Sequence, residues 1–200
     1  VDATPFIKFG AENTVAVRVD PKELSARWYP GAGIYRNVYL NIKHPVNIAY
    51  NGTYVTTPEI TDSEAQVVIQ TTIENKSNLD GNYSLKITIY NNSGVEVASS
   101  KNDINLSANT AIETKIEVQN PVLWDLENPH LYTAKSVILK NGVELDDYET
   151  TFGIRSIKYS QENGFELNGK QVKFKGVCLH HDLGPLGSAV NTRATERQLE

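Results

Sequence analysis

The 200-residue sequence has one cysteine, Cys178, and no methionine. A single thiol cannot close an internal disulfide, so packing must hold the fold. No apolar run approaches the roughly 20 residues that a membrane-spanning helix needs. The front of the chain lacks the charged-then-apolar pattern of a secretory signal. Positive charge is also short: 19 Lys and Arg stand against 24 Asp and Glu, a net charge of -5. With a pI near 5.4, the chain has no basic face for nucleic acid and nothing that suggests binding to an anionic membrane. There is no G-x-S-x-G, no phosphate-cradling glycine loop, no CxxC and no carboxylate pair in a recognisable setting. No complete catalytic machine is therefore expected within these residues. With Val1 first and methionine nowhere, the natural start is expected to lie outside this sequence. The compartment is not legible, and periplasmic, secreted and cytoplasmic locations all stay open.

What is present reads as strand. The balance of 40% hydrophobic and 22% charged residues is ordinary for a globular protein and allows one large or two small domains. TVAVRV (14–19), IYRNVYLNI (34–42), EAQVVIQTTIE (64–74), YSLKITIY (83–90), TAIETKIEV (110–118) and YTAKSVIL (132–139) are rich in Val, Ile, Thr and Tyr, the residues that suit a pleated, half-buried surface. Val67, Ile69, Thr71 and Ile73 share one face, as do Leu85, Ile87 and Ile89, and Ile112, Thr114, Ile116 and Val118. One dry face and one wet face imply antiparallel sheets on a common core. Asn92-Ser93-Gly94, Asn141-Gly142 and Asn168-Gly169 lie between extended runs, where Asn-Gly supplies the positive φ of tight hairpins. The spacing predicts an immunoglobulin-like sandwich over 44–154, opened by Pro45 and a turn at Asn51-Gly52 and closed by Gly153. Residues 1–43 hold too few strands to close a core and read as the tail of another β domain.

The end of the chain is different in kind. FELNGKQVKFKG reads as a hairpin, GVCLHHDLGPLG (176–187) as a strand ending in a Gly/Pro loop, and TRATERQLE as a helix start. Thr195 with Gln198 three residues on has the capping-box pattern. A strand, a loop and a helix start make the opening βα unit of a larger α/β domain, so the chain is expected to be the front part of a bigger enzyme, cut through an element. His180 and His181 are adjacent, point to opposite faces of a strand and cannot easily share a metal. No third ligand is in view and no metal site is expected. Active sites of (β/α)8 barrels gather at the C-terminal strand ends, where His180 and Asp182 would sit.

Several other features have plainer readings. RWYPGAGIYRNVYL (27–40) packs Trp28, Tyr29, Tyr35 and Tyr39 around Pro30, Gly31 and Gly33, a composition that suits sugar stacking but more often forms a plug between domains. Arg36 reads as an ion-pair partner in an interface. NPVLWDLENPHLY (120–132) reads as a loop that wraps the sandwich edge, with Trp124 closing the core. Asn-X-Ser/Thr occurs at Asn51, Asn75, Asn82, Asn91 and Asn105, as chance allows in an Asn-rich β chain. Glu74, Glu113, Glu117 and Glu149 fall within strands, where the outward face is their default place.

In series these segments resemble one family. The order RWYPGAGIYRNVYL, P-x-L-W with P-x-L-Y, FGIR (152–155), F-x-LNGK and KGVCLHHDLGPLG is similar to glycoside hydrolase family 2, the β-galactosidase and β-glucuronidase family, and HHDLGPLG looks most like the β-galactosidase branch. The resemblance implies a mainly β chain: the last strands of a jelly-roll sugar-binding domain over 1–43, an immunoglobulin-like β-sandwich over 44–154 and the first strand of a truncated (β/α)8 catalytic barrel over 155–200. It implies that His180 contacts substrate at the barrel top, with Asp182 beside it. Cys178 stands where many members carry Asn. Members are retaining enzymes whose two glutamates lie about 5 to 5.5 Å apart; the resemblance puts both on later barrel strands, so no catalytic residue is expected here. It implies no cofactor in this chain, leaves a divalent or monovalent cation open for the full enzyme, makes a β-galactoside the partner and leaves homo-oligomers open. The rival reading is a carbohydrate-binding or structural immunoglobulin-like module without catalysis.

Overall fold

Alternating apolar residues need a partner sheet, and seven strands supply it. The computed structural model describes residues 1–20, 33, 34, 37–77, 81–106, 109–179, 183, 189 and 191–200. β1 (Val46–Ile60), β2 (Glu64–Asn75) and β5 (Thr110–Gln119) form one antiparallel sheet in the order β1-β2-β5. β3 (Asn82–Tyr90), β4 (Glu96–Asn105), β6 (Tyr132–Lys140) and β7 (Val143–Phe152) form the other, in the order β4-β3-β6-β7. The chain is thus mainly β, with an immunoglobulin-like sandwich of three strands facing four. Val67, Ile69 and Ile73 of β2, Leu85, Ile87 and Ile89 of β3, Ile116 and Val118 of β5 and Ala134 and Ile138 of β6 meet in a single core. Each large aliphatic side chain removed from water contributes about 1.5 to 3 kcal/mol. The face shared by Val67, Ile69, Thr71 and Ile73 is buried as its alternation requires.

Both open sides of the sandwich are tied by polar side chains that sequence pattern does not reveal. Along the β1–β7 side, Asp146 accepts from the backbone N–H of Ile48 at 2.9 Å and from Lys43 Nζ at 3.0 Å. The hydroxyls of Thr53 and Thr150 bond to each other, and Thr57 Oγ1 donates to the Arg155 carbonyl at 2.9 Å. On the β4–β5 side, Asn102 Nδ2 donates to Thr114 Oγ1 at 3.2 Å. These bonds join sheets that share no backbone ladder.

The turns follow the predicted chemistry with one change. Asn141 and Gly142 have φ of 52° and 82°, and Asn168 and Gly169 have 50° and 73°, as tight hairpins demand. Asn51-Gly52, expected as a turn before the sandwich, is instead an irregularity inside β1, where the register with β2 shifts between Ile48 and Thr53. Asn51 takes a φ of 52°, and a Cβ on Gly52 would lie 2.7 Å from the Ala49 carbonyl oxygen. The pair lets the strand bend and continue.

Asn41–Lys175 make one compact unit, which also holds a three-stranded meander of β8 (Ile157–Ser160), β9 (Gly164–Leu167) and β10 (Lys170–Gln171). Val1–Leu40 with Gly176–Glu200 make the other. In that second unit Asn13 pins a short loop, accepting from Lys8 N at 2.8 Å and donating to Lys8 O and Ala11 O at 2.9 Å. The strands expected over 14–19 and 34–42 are not formed among the described residues there. Val15, Val17 and Val19 are exposed, because an alternating run becomes a strand only beside a neighbour that takes its hydrogen bonds.

Candidate functional site

The segment that carried the site prediction is only partly described. Gly176, Val177, Cys178 and Leu179 are exposed and belong to no strand. A barrel strand is paired on both sides and covered on both faces, and neither partner is present among the described residues. His180, His181 and Asp182 lie outside the described residues, as do Trp28, Tyr29, Tyr35 and Arg36. Tyr39 is exposed, its hydroxyl accepting from Asn37 Nδ2 at 3.0 Å.

The helix after the loop is formed, but not from the expected cap. α1 runs over Thr192–Leu199, and Asn191 caps it, its side-chain oxygen accepting from Ala194 N at 3.2 Å. Thr195 lies inside the first turn and donates back to the Asn191 carbonyl at 3.3 Å. Asn is as good an N-cap as Ser or Thr, and the capping-box pattern at Thr195 and Gln198 drew attention four residues too late.

Three of the sequence motifs converge on one joint. The Trp124 N–H donates to the Ile154 carbonyl at 2.8 Å, and the Trp124 carbonyl accepts from Asn168 Nδ2 at 3.0 Å. The Arg155 guanidinium lies over the indole, 5.1 Å from its centroid. P-x-L-W, FGIR and LNGK therefore meet around a single peptide. Trp124 does not close the core, as its sequence setting suggested: it is half-buried outside the core cluster, its side chain pressed against the main chain of Gly153. Nearby, Tyr132 at the start of β6 is buried, and its hydroxyl accepts from Val122 N at 2.9 Å, the arrangement of a tyrosine corner.

A Cβ at Gly153 would sit 2.7 Å from Trp124 Cβ and 2.9 Å from its Cγ. Gly153→Ala is therefore expected to destabilise the chain by about 2 to 3 kcal/mol in urea titration, the upper part of the range for forced overpacking. In a Trp124→Gly background, which removes the Cβ as well as the ring, the same change should cost at least about 1 kcal/mol less, by the logic of a double-mutant cycle. Equal costs in both backgrounds would show that the contact does not limit packing.

The ionisable groups offer no catalytic pair in these elements. Glu113, Glu117 and Glu149 face outward from their strands, and Glu74 pairs with Lys76 at 3.4 Å. The Lys135 ammonium is held above its ordinary value by its hydrogen bond to Asp147 and by that carboxylate's charge. Arg193 is raised by Glu200 and Glu196 in the same way. Both are outward-facing ion pairs, worth little energetically. Among the described residues, no three His, Cys, Asp or Glu side chains are grouped to hold a metal ion.

The same sandwich occurs in known proteins. The sequence profile of glycosyl hydrolases family 2 matches residues 47–155, more than half of the chain. The chain belongs to glycosyl hydrolase family 2. Within the family it is 41% identical to a beta-galactosidase of Bacteroides ovatus, over 100% of this chain and 24% of that protein. It is 32% identical to a beta-glucuronidase of Formosa agariphila, over 88% of this chain and 20% of that one. A solved family 2 structure from Bacteroides cellulosilyticus superimposes with a TM-score of 0.95 at 39% identity, covering 100% of this chain and 26% of the other. The chain spans about a quarter of the length of its Bacteroides ovatus relative. Family 2 relatives of both names, galactosidase and glucuronidase, are similar to it.

Proposed function

We propose that this chain forms the immunoglobulin-like sandwich, with its adjoining segments, of a retaining family 2 glycosidase that hydrolyses β-galactosides. In this reading 1–43 complete a jelly-roll sugar-binding domain, and 155–200 open a (β/α)8 barrel whose upper rim presents His180 and Asp182 to the sugar. The acid/base and nucleophile glutamates belong to later strands of that barrel, past Glu200. The observation that carries the reading is the 41% identity to a beta-galactosidase over the full length of this chain.

The test uses two chromogenic substrates, a nitrophenyl β-galactoside and a nitrophenyl β-glucuronide. The 200-residue chain should hydrolyse neither above buffer background. The longer enzyme should turn over the galactoside with the higher kcat/KM. Turnover by the short chain that disappears when one of its own carboxylates is replaced would overturn the placement of the glutamates. A longer enzyme that prefers the glucuronide would overturn the choice of sugar.

A further inference from the structure

We infer that Asn168 is a positioning residue: it latches the meander to the sandwich and so fixes the start of the segment that runs on to His180. The inference rests on the proposed role of His180 and deepens it. The Asn168 side chain uses both of its chemical ends. Its oxygen accepts from Ser156 N at 2.9 Å, and its nitrogen donates to the Trp124 carbonyl at 3.0 Å. The Asn168 backbone N–H donates to the Ser156 carbonyl at 3.0 Å. One residue thus holds the exit of the sandwich at Ser156 and the Trp124 loop while it turns the chain between β9 and β10.

Residue type follows from geometry. A φ of 50° is tolerated by Gly, Asn and Asp and is strained for most others. Glycine makes neither side-chain bond. Ionised aspartate is acceptor-only and would face the Trp124 carbonyl with like partial charge, whereas the asparagine amide is donor and acceptor at once. Only asparagine meets all three demands at neutral pH. The turn is therefore more than a hairpin turn, which Asp-Gly or Gly-Gly would also make.

What the latch fixes is the chain that leaves it. Val172 N donates to the Phe165 carbonyl at 3.0 Å, and the Phe174 ring packs on Phe165 with centroids 4.6 Å apart. The backbone is thereby tied back at Val172, eight residues before His180, and the Phe174 ring rests on the meander just beyond it. Small misplacements of a group that contacts substrate are costly, up to about 10²-fold in rate for an error near 1 Å.

Asn168→Asp separates this role from a bland structural one, because a protonated carboxyl donates and accepts as the amide does. In the folded variant the charged form is disfavoured, so the pKa of the introduced carboxyl should rise above the ordinary ~3.9. The damage is then present above the raised value and disappears as pH falls below the ordinary one. Hydrogen exchange on the 200-residue chain should show Ser156, Asn168 and Val172 amides, the three that donate around the latch, at least about tenfold less protected in Asn168→Asp at pH 7, with the gap to wild type closing towards pH 4. Asn168→Gly, which keeps the φ, should lose the same protection at both pH values. In the longer enzyme Asn168→Asp should lower kcat on the galactoside by about tenfold with a smaller change in KM. Unchanged protection at pH 7, a gap that does not depend on pH, or wild-type kcat in Asn168→Asp each overturns the inference. Failure of the underlying reading looks different: His180→Ala would keep its kcat whatever Asn168 does.

Discussion

Ile87→Ala is expected to lower the unfolding free energy by about 3 to 4 kcal/mol, towards the upper part of the range for deleting a large aliphatic side chain. Ile87 has no exposed surface and lies mid-way along β3, one of the two strands paired on both sides in the four-stranded sheet. Its cross-strand neighbours are Ser100 on β4 and Ser136 on β6. Neither is large enough to move into the space left behind, so the cavity stays open and its full penalty is felt. Ile87→Val, which removes one methyl group, should cost only about 0.5 to 1.5 kcal/mol. Urea titration of the 200-residue chain measures both. A loss under about 1.5 kcal/mol for Ile87→Ala would mean that the sheets close over the gap and that the core is less rigidly packed than its burial indicates.

The sandwich was legible because its signal is local and repeated. Period-2 alternation in β2, β3 and β5 placed Ile69, Ile87 and Ile116 on one buried face without knowledge of any partner. Thr71 was grouped with that face correctly; it is fully buried, and its hydroxyl has no hydrogen-bond partner among the described residues. The side ties were not legible. Asp146 reads as a charge on an edge strand, and nothing in the sequence points it at Ile48, 98 positions away. Trp124 shows the same limit from the other side. Its size suggested core, but its contact is Gly153, and the only available cue was a glycine just past the end of β7. The strands expected over 14–19 and 34–42 are not formed among the described residues for a third reason: pairing is a property of two segments, and the sequence shows one. The candidate site was reached by likeness of motifs, since His180 and Asp182 carry no local pattern that distinguishes substrate contact from packing.

In the longer galactosidase proposed above, with His180 donating to a sugar hydroxyl, His180→Ala should reduce kcat on a nitrophenyl β-galactoside by about 10² to 10³-fold, the scale seen when one preorganised donor to a transition-state oxygen is removed. The expectation lies on kcat because a hydrogen bond that strengthens as the glycosidic bond breaks stabilises the transition state over the bound substrate. A donor that served binding alone would raise KM and leave kcat unchanged. His181 supplies the control. Adjacent residues of a strand point to opposite faces, so if His180 faces the pocket, His181 packs on the other side. His181→Ala should then lower the melting temperature more than it lowers the rate. If this segment forms the proposed barrel strand, Cys178 shares the face of His180 by the same alternation, so Cys178→Asn, the residue that the family resemblance implies there, should be tolerated by stability while shifting KM. Steady-state kinetics and thermal melts on all three variants decide the matter. Wild-type kcat in His180→Ala, or a His181→Ala enzyme that is the weaker catalyst at unchanged melting temperature, would put the opposite face of this segment towards the sugar.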